Sequence, residues 1–146
     1  MCLNNWGGID HKVLEFHEYV NLFSGKSGSG KSTVMDAIQV ILYGSFSPSF
    51  LNKAADDAKN RRSVLSYLRG EQKDGSANRK DCDFCSVIAL EIEDTGTHII
   101  TCIGIAFEVR KSDSEIKKFV YFSHSGKMPE SEYLTEQGVC YSNQEI

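Results

Sequence analysis

Val20-Asn21-Leu22-Phe23-Ser24-Gly25-Lys26-Ser27-Gly28-Ser29-Gly30-Lys31-Ser32-Thr33-Val34 is the stretch whose reading decides the fold. Residues 25–32 fit G-x-x-x-x-G-K-[ST] without a mismatch, and Thr33 extends the pattern. The pattern has physical content when it follows a strand and opens a helix. Successive backbone N–H groups then converge at the positive end of the helix dipole, where a phosphate group is held. Residues 20–23 read as a compact apolar strand. Downstream, Val34, Ala37, Ile38, Ile41 and Leu42 fall at i, i+3, i+4, i+7 and i+8, which predicts an amphipathic helix over 31–43 stopped by Gly44. Gly25 and Gly30 permit backbone angles and a close phosphate approach that a side chain would obstruct. Lys31 would reach the β- and γ-phosphates, and the Ser32 hydroxyl would complete a Mg²⁺ shell. The candidate nucleotide-binding residues are therefore Gly25, Lys26, Ser27, Gly28, Ser29, Gly30, Lys31, Ser32 and Thr33, with Ser32 the candidate magnesium ligand. A plain Gly/Ser turn before a helix would not need Lys and Ser at these offsets.

Outward from this motif, residues 6–9 and 13–16 predict two short strands around a turn at Asp10-His11-Lys12. Val64, Leu65 and Leu68 mark a second helix ending near Gly70, within a polar, basic region. Residues 86–94 alternate, with Ile88, Leu90 and Ile92 on one face, and 97–109 form the partner across a turn at Asp94-Thr95-Gly96. Residues 117–123 are a further strand. Past Gly126 the pattern weakens to isolated anchors such as Met128, Tyr133, Leu134, Val139 and Tyr141. The expectation is an α/β P-loop fold: a small sheet with 20–23 at its centre, helix 31–43 packed on it, and an antiparallel β subdomain from Ser86 onward. Three stretches follow: 1–45 with strands, loop and helix, 46–83 as a basic loop and helix, and 84–146 as a β meander and tail.

Composition narrows the class. The chain has 146 residues, 40% hydrophobic and 25% charged, enough for one globular domain with a core of its own. Its net charge of -4 does not by itself demand nucleic acid or an anionic membrane. The total hides an asymmetry, because residues 53–80 carry eight basic and four acidic side chains, +4 locally and -8 elsewhere. Such a cluster could track a DNA backbone or form a solvated helix face. No run approaches the ~18 to 20 apolar residues of a membrane helix. The first twenty residues carry Asp10, His11, Glu15, His17 and Glu18 where a signal peptide would be apolar, so the cytoplasm is expected. Five cysteines without regular spacing then read as reduced thiols. Cys82-x2-Cys85-x12-His98-x3-Cys102 satisfies zinc-finger arithmetic, but a hairpin turn at 94–96 would hold Cys85 roughly 23 Å from the His98 end. Trp6 is expected to pack on the sheet edge. His11, His17 and His124 show no partner spacing.

Asn5-Trp6-Gly7-Gly8, the loop from Val20 to Thr33 and Asp36-Ala37-Ile38-Gln39 together resemble the start of an SMC-type ABC ATPase head. Phe50-Leu51-Asn52-Lys53-Ala54-Ala55-Asp56-Asp57, Arg62-Ser63-Val64-Leu65-Ser66-Tyr67-Leu68-Arg69-Gly70-Glu71 and the strand from Ile88 to Ile92 are similar to the MukB-like branch that includes JetC and MksB, with SbcC a more distant relative. The resemblance covers nearly the whole chain. It implies an ABC/SMC-head N-terminal lobe, ATP and Mg²⁺ as cofactors, and a complementary C-terminal half-head. It further implies a second head that dimerises on ATP, DNA as a partner, and a kleisin-type or nuclease subunit. It places Ser27 where the family usually has Asn, and Arg61, Arg62 and Arg69 where such heads carry arginines that touch phosphate or DNA.

The sequence also departs from that family. It holds no Leu-Ser-Gly-Gly-Gln-like signature, no heptad repeat and no convincing Walker B strand. Val87-Ile88-Ala89-Leu90-Glu91 fits an exposed-edge hairpin better than a Walker B, and Gln137-Gly138 follows a poor strand. The catalytic glutamate would lie in the missing half, so the chain reads as truncated, binding nucleotide weakly and hydrolysing it poorly alone. Its role would be DNA repair, chromosome organisation and segregation, or plasmid defence. Two alternatives stay open: a self-contained small P-loop phosphotransferase, and a nucleotide-independent DNA-binding remnant. A GTPase is excluded, because Asn52-Lys53-Ala54-Ala55-Asp56 is one residue too long for the guanine motif and Asp94-Thr95-Gly96 falls short of the switch motif.

Overall fold

The computed structural model describes residues 1–47, 51, 63–71 and 74–140. Its longest elements are two ten-residue strands, β3 (Phe84–Glu93) and β4 (Ile100–Val109), paired antiparallel from Phe84 opposite Val109 to Glu93 opposite Ile100. Successive side chains of a strand point to opposite faces. Ile88, Ile105, Phe107 and Val109 therefore share one core, while Cys85, Val87, Ala89 and Ala106 share another. Because both faces are buried, these strands combine apolar residues on both sides instead of a strict in-and-out alternation.

β1 (Cys2–Trp6) pairs with β2 (Ile9–Val13) on one side and with β3 on the other, and β5 (Lys118–Ser125) pairs with β4. The sheet is thus antiparallel throughout, in the order β2-β1-β3-β4-β5. Helix α1 (Lys31–Tyr43) lays Val34, Ala37 and Val40 on the first face, ending at Gly44 in the left-handed region. Helix α2 (Val64–Leu68) starts at Ser63, whose hydroxyl accepts from the Ser66 N–H at 3.1 Å. Trp6 is the hub of this core, fully buried, 4.9 Å from the Tyr67 ring and 6.4 Å from the Phe107 ring. Left-handed backbone at Asn5 (φ 50) breaks the strand alternation and turns Trp6 onto the same face as Leu3.

The second face is covered by the end of the chain. Tyr133 is 2% exposed, with its ring 4.3 Å from Phe122 and its hydroxyl 2.7 Å from His124 Nε2. Cys140 forms a disulfide with Cys85, with Cα atoms 5.3 Å apart. This corrects the expectation of five reduced thiols. The two cysteines are 55 residues apart in sequence and meet only because the tail folds back across β3. Cys2, Cys82 and Cys102 are free, and burial pushes the Cys2 thiol up to about 12.

Four further expectations are corrected. The first hairpin turns at Gly7-Gly8, with Ile9–Val13 as its second strand, not at residues 10–12. Residues 20–23 form no strand: Val20 and Leu22 are 78% and 88% exposed, and the Asn21 side chain bonds the His17 N–H and carbonyl at 2.7 and 2.9 Å. A strand needs a neighbour for its ladder, and among the described residues this segment has none, so the α/β sheet centred on 20–23 gives way to an antiparallel one. β3 lies between β1 and β4 and is not an edge. Finally, the β3–β4 connection spans residues 94–99, fastened by Asp94, whose Oδ1 accepts from the N–H groups of Gly96 and Thr97 at 2.9 and 2.7 Å. That longer turn sets Cys102 opposite Glu91.

Candidate phosphate-binding site

The loop between residues 24 and 30 ends at Gly30, which caps α1 with φ 90 and contributes no side chain. Only glycine takes this left-handed backbone freely, and with no side-chain cap the first N–H groups of the helix stay available to a ligand. The Gly30 carbonyl still accepts from the Val34 N–H at 3.0 Å, so the helix begins in register. Lys31 folds back over its own loop. Its Nζ donates to the carbonyls of Gly25 at 2.6 Å and Lys26 at 2.8 Å and to Ser29 Oγ at 3.3 Å. An ammonium bound to neutral carbonyls is poised to exchange them for an anionic oxygen, because charge-assisted hydrogen bonds are about twice as strong.

The loop walls a cavity of about 450 Å³, lined by residues 27–33 together with Gly7, Gly8, Ile9 and Tyr67. Lys31 and Ser32 both face this space, and Thr33 is tied to the core because its carbonyl accepts from Trp6 Nε1 at 2.9 Å. Gly25 and Lys26 border the loop through their carbonyls but are not among the lining residues.

The opposite wall is the β1–β2 turn, and one residue that sequence reasoning missed holds it. Arg79 is 5% exposed; its Nε and Nη2 donate to the Leu68 carbonyl at 3.1 and 3.0 Å, Nη2 also donates to the Gly7 carbonyl, and Nη1 pairs with Asp10 at 2.6 Å. Its guanidinium also lies 5.5 Å over the Phe84 ring. Burial lowers its pKa, opposed mainly by Asp10. Tyr67 is the second missed residue, 5% exposed, with its hydroxyl donating to Asp36 at 3.2 Å. A Cβ on Gly7, where φ is 55, would stand 3.0 Å from Thr33 and 3.1 Å from Tyr67, so only glycine lets the turn approach the loop this closely. The Gly-Gly pair beside a tryptophan was the available signal.

Of the predicted arginines, the described one, Arg69, does not line this cavity. Arg69 donates through Nη2 to the carbonyls of Arg110, Lys111 and Asp113 at 3.0–3.2 Å, which fastens the β4–β5 connection to α2 and keeps its guanidinium out of the cavity lining. Arg61 and Arg62 lie outside the described residues. Glu91, at the end of the Walker-B-like run, accepts from the Met128 N–H at 2.7 Å, and Gln137-Gly138 sits in a tight turn where the Gly138 N–H donates to the Thr135 carbonyl at 2.8 Å. The zinc-finger-like residues stay apart: Cys85 is bonded to Cys140, His98 contacts Glu93 at 3.0 Å, and Cys102 lies six residue positions along the sheet from Cys85.

Residues 1–58 match the protein family described as the P-loop containing region of AAA domain. The chain is also 33% identical over 72 residues to the SbcC component of the SbcCD nuclease of Staphylococcus haemolyticus (strain JCSC1435), covering 47% of this chain and 6% of that protein. It thus spans a small fraction of the length of this relative. The two matches support a P-loop ATPase region of the SbcC or SMC kind and do not single out the MukB-like branch. Among the described residues, no helix is long and apolar enough to cross a membrane.

Proposed function

We propose that this chain binds Mg-ATP as the N-terminal, loop-bearing part of an SbcC- or SMC-like ATPase head that serves DNA repair or chromosome organisation. The observation that carries the proposal is the glycine-capped start of α1 with the Lys31 ammonium held over the loop carbonyls beside an open cavity. Gly25, Lys26, Ser27, Gly28, Ser29, Gly30 and Thr33 shape the phosphate cradle through their backbone, Lys31 neutralises the β- and γ-phosphates, and Ser32 ligates Mg²⁺. Hydrolysis belongs to a composite site whose acid and signature come from a complementary half-head. The exposed Tyr19, Val20 and Leu22, at 78–88%, support that reading, because an apolar segment preceding a phosphate loop is suited to become a strand once a neighbour arrives. DNA and a nuclease partner are the proposed further components of the assembly.

Calorimetric titration of Mg-ATP into the chain, alone and with the complementary half-head, tests this. Lys31→Ala removes a charge-assisted contact of about 1.5–3 kcal/mol and should weaken binding by roughly 10- to 150-fold. Ser32→Ala should remove the magnesium dependence. Absence of heat even with the complementary half present would refute the reading. Phosphoryl transfer to a small acceptor by the chain alone would favour the phosphotransferase, and DNA affinity indifferent to Lys31→Ala but lost on charge reversal at Arg61 and Arg62 would favour the DNA-binding remnant.

A further inference from the structure

On the sheet face opposite α1, one ligand atom from each of Cys2, His11 and Glu132 lies within 4.8 Å of the other two. The sequence offers no hint of this, because the three residues span the chain from position 2 to position 132. Strand register explains the first two. Cys2 pairs with Val13 and Asn4 with His11, so Cys2, Asn4 and His11 emerge on one face of neighbouring strands. The third arrives with the C-terminal segment, whose backbone takes left-handed angles at two successive non-glycine residues, Glu132 (φ 51) and Tyr133 (φ 64). That conformation is unfavourable for residues with a Cβ, and here it sets Tyr133 into the core while Glu132 reaches the strands.

The donors are already organised. His11 Nε2 stands 2.9 and 3.2 Å from the two carboxylate oxygens of Glu132. Asn4 Nδ2 donates to Glu132 Oε2 at 3.1 Å and lies 3.5 Å from Cys2 Sγ, orienting both groups. Cys2 is fully buried, whereas the His11 side chain is 57% exposed, so the cluster has a closed floor and an open mouth. A thiolate, an imidazole and a carboxylate with one side open to water are the donor set of a four-coordinate zinc ion carrying one solvent ligand. At zinc bond lengths of ~2.0–2.3 Å, tetrahedral donors stand roughly 3.3–3.6 Å apart, so His11 and Glu132, now 2.9 Å apart, must part slightly, and no donor pair need close by more than about 1.5 Å. The sulfur ligand disfavours Mg²⁺ and Ca²⁺, which take oxygen donors.

We propose that Cys2, His11 and Glu132 bind a zinc ion, with water as the fourth ligand, and that the ion pins the C-terminal segment to the β1–β2 hairpin. On binding, the Cys2 thiol releases its proton to solvent and the sulfur bonds to the metal. The other end of the same hairpin is the Gly7-Gly8 turn that walls the phosphate-loop cavity, so the ion would stiffen that wall from behind.

The test is a titration of Zn²⁺ alone against a competing chromophoric chelator, performed anaerobically on the 146-residue chain without added thiols. One equivalent should bind, with a rise in thermal midpoint. His11→Gln alters a largely exposed side chain, should leave the fold intact, and should weaken zinc binding by at least roughly tenfold. Substituted Co²⁺ should show a thiolate-to-cobalt charge-transfer band that survives Cys82→Ser and Cys102→Ser and disappears in Cys2→Ser. Should Cys2→Ser fail to fold, Glu132→Gln serves instead, with an altered cobalt d–d spectrum expected. Substoichiometric zinc, equal affinity in His11→Gln, a charge-transfer band that persists without Cys2, or a cobalt spectrum unmoved by Glu132→Gln would each overturn the proposal.

Discussion

Arg79→Ala would strip the cavity wall of the guanidinium that joins the β1–β2 turn to the end of α2. In the native protein this group is 5% exposed and donates to the Leu68 and Gly7 carbonyls. Each buried acceptor deprived of its donor costs about 1–3 kcal/mol, and losing the stacking on Phe84 adds about 0.5–1 kcal/mol. The Asp10 carboxylate contributes little, because its side chain is 80% exposed and water replaces its partner. With two carbonyls orphaned the total is about 2.5–7 kcal/mol, a large share of the roughly 5–15 kcal/mol that stabilises a typical domain. At about 3 °C per kcal/mol for a chain of this size, the thermal midpoint should fall by roughly 8–21 °C. Thermal unfolding followed by circular dichroism measures it, and Arg79→Lys, with one charge but no planar fork, should fall in between. A drop smaller than ~3 °C, or an Asp10→Ala variant as damaged as Arg79→Ala, would refute this account of how the wall is held.

Four other outcomes follow from the structure. Gly104→Ala would set a Cβ 2.5 Å from the Ile88 carbonyl and against the Phe122 ring, and should lower stability by about 1–3 kcal/mol; an unchanged urea midpoint would contradict the packing. Alkylation of the unfolded, unreduced protein should label the three free cysteines and not Cys85 or Cys140. Reduction should destabilise the fold by about 4 kcal/mol for a loop of this length, an effect absent in Cys140→Ser. Hydrogen bonds hold three carboxyls below their usual range: Asp94 through the Thr97 N–H, Asp113 through the Arg110 N–H, and Glu108 through Lys118. Their folded values lie below the unfolded ones, so their stabilisation is complete above pH ~4.5 and is lost as pH falls through the folded values. Urea midpoints should hold from neutral pH to that point and then decline, less steeply in Asp113→Asn.

The parts of this protein that were legible in its sequence are those whose cause is local. Helix α1 runs over Lys31–Tyr43 as its 3.6-residue period and Gly44 dictate, and α2 ends where Gly70 requires. The phosphate-loop spacing lies within eight residues, and β3, β4 and β5 begin and end within three residues of their predicted bounds. Sequence pattern could not reveal which strands would pair. An apolar run such as 20–23 has strand character but becomes a strand only beside another, and the sheet closes without it. Nor could spacing reveal that β3 is central, that the tail returns across it to join Cys140 to Cys85, or that Glu132 meets Cys2 and His11. These depend on two faces of one sheet each needing a cover, a competition between surfaces far apart in the chain. Backbone preference and motif chemistry act over a few residues, so sequence determined the helices and the loop, and tertiary packing alone decided what surrounds them.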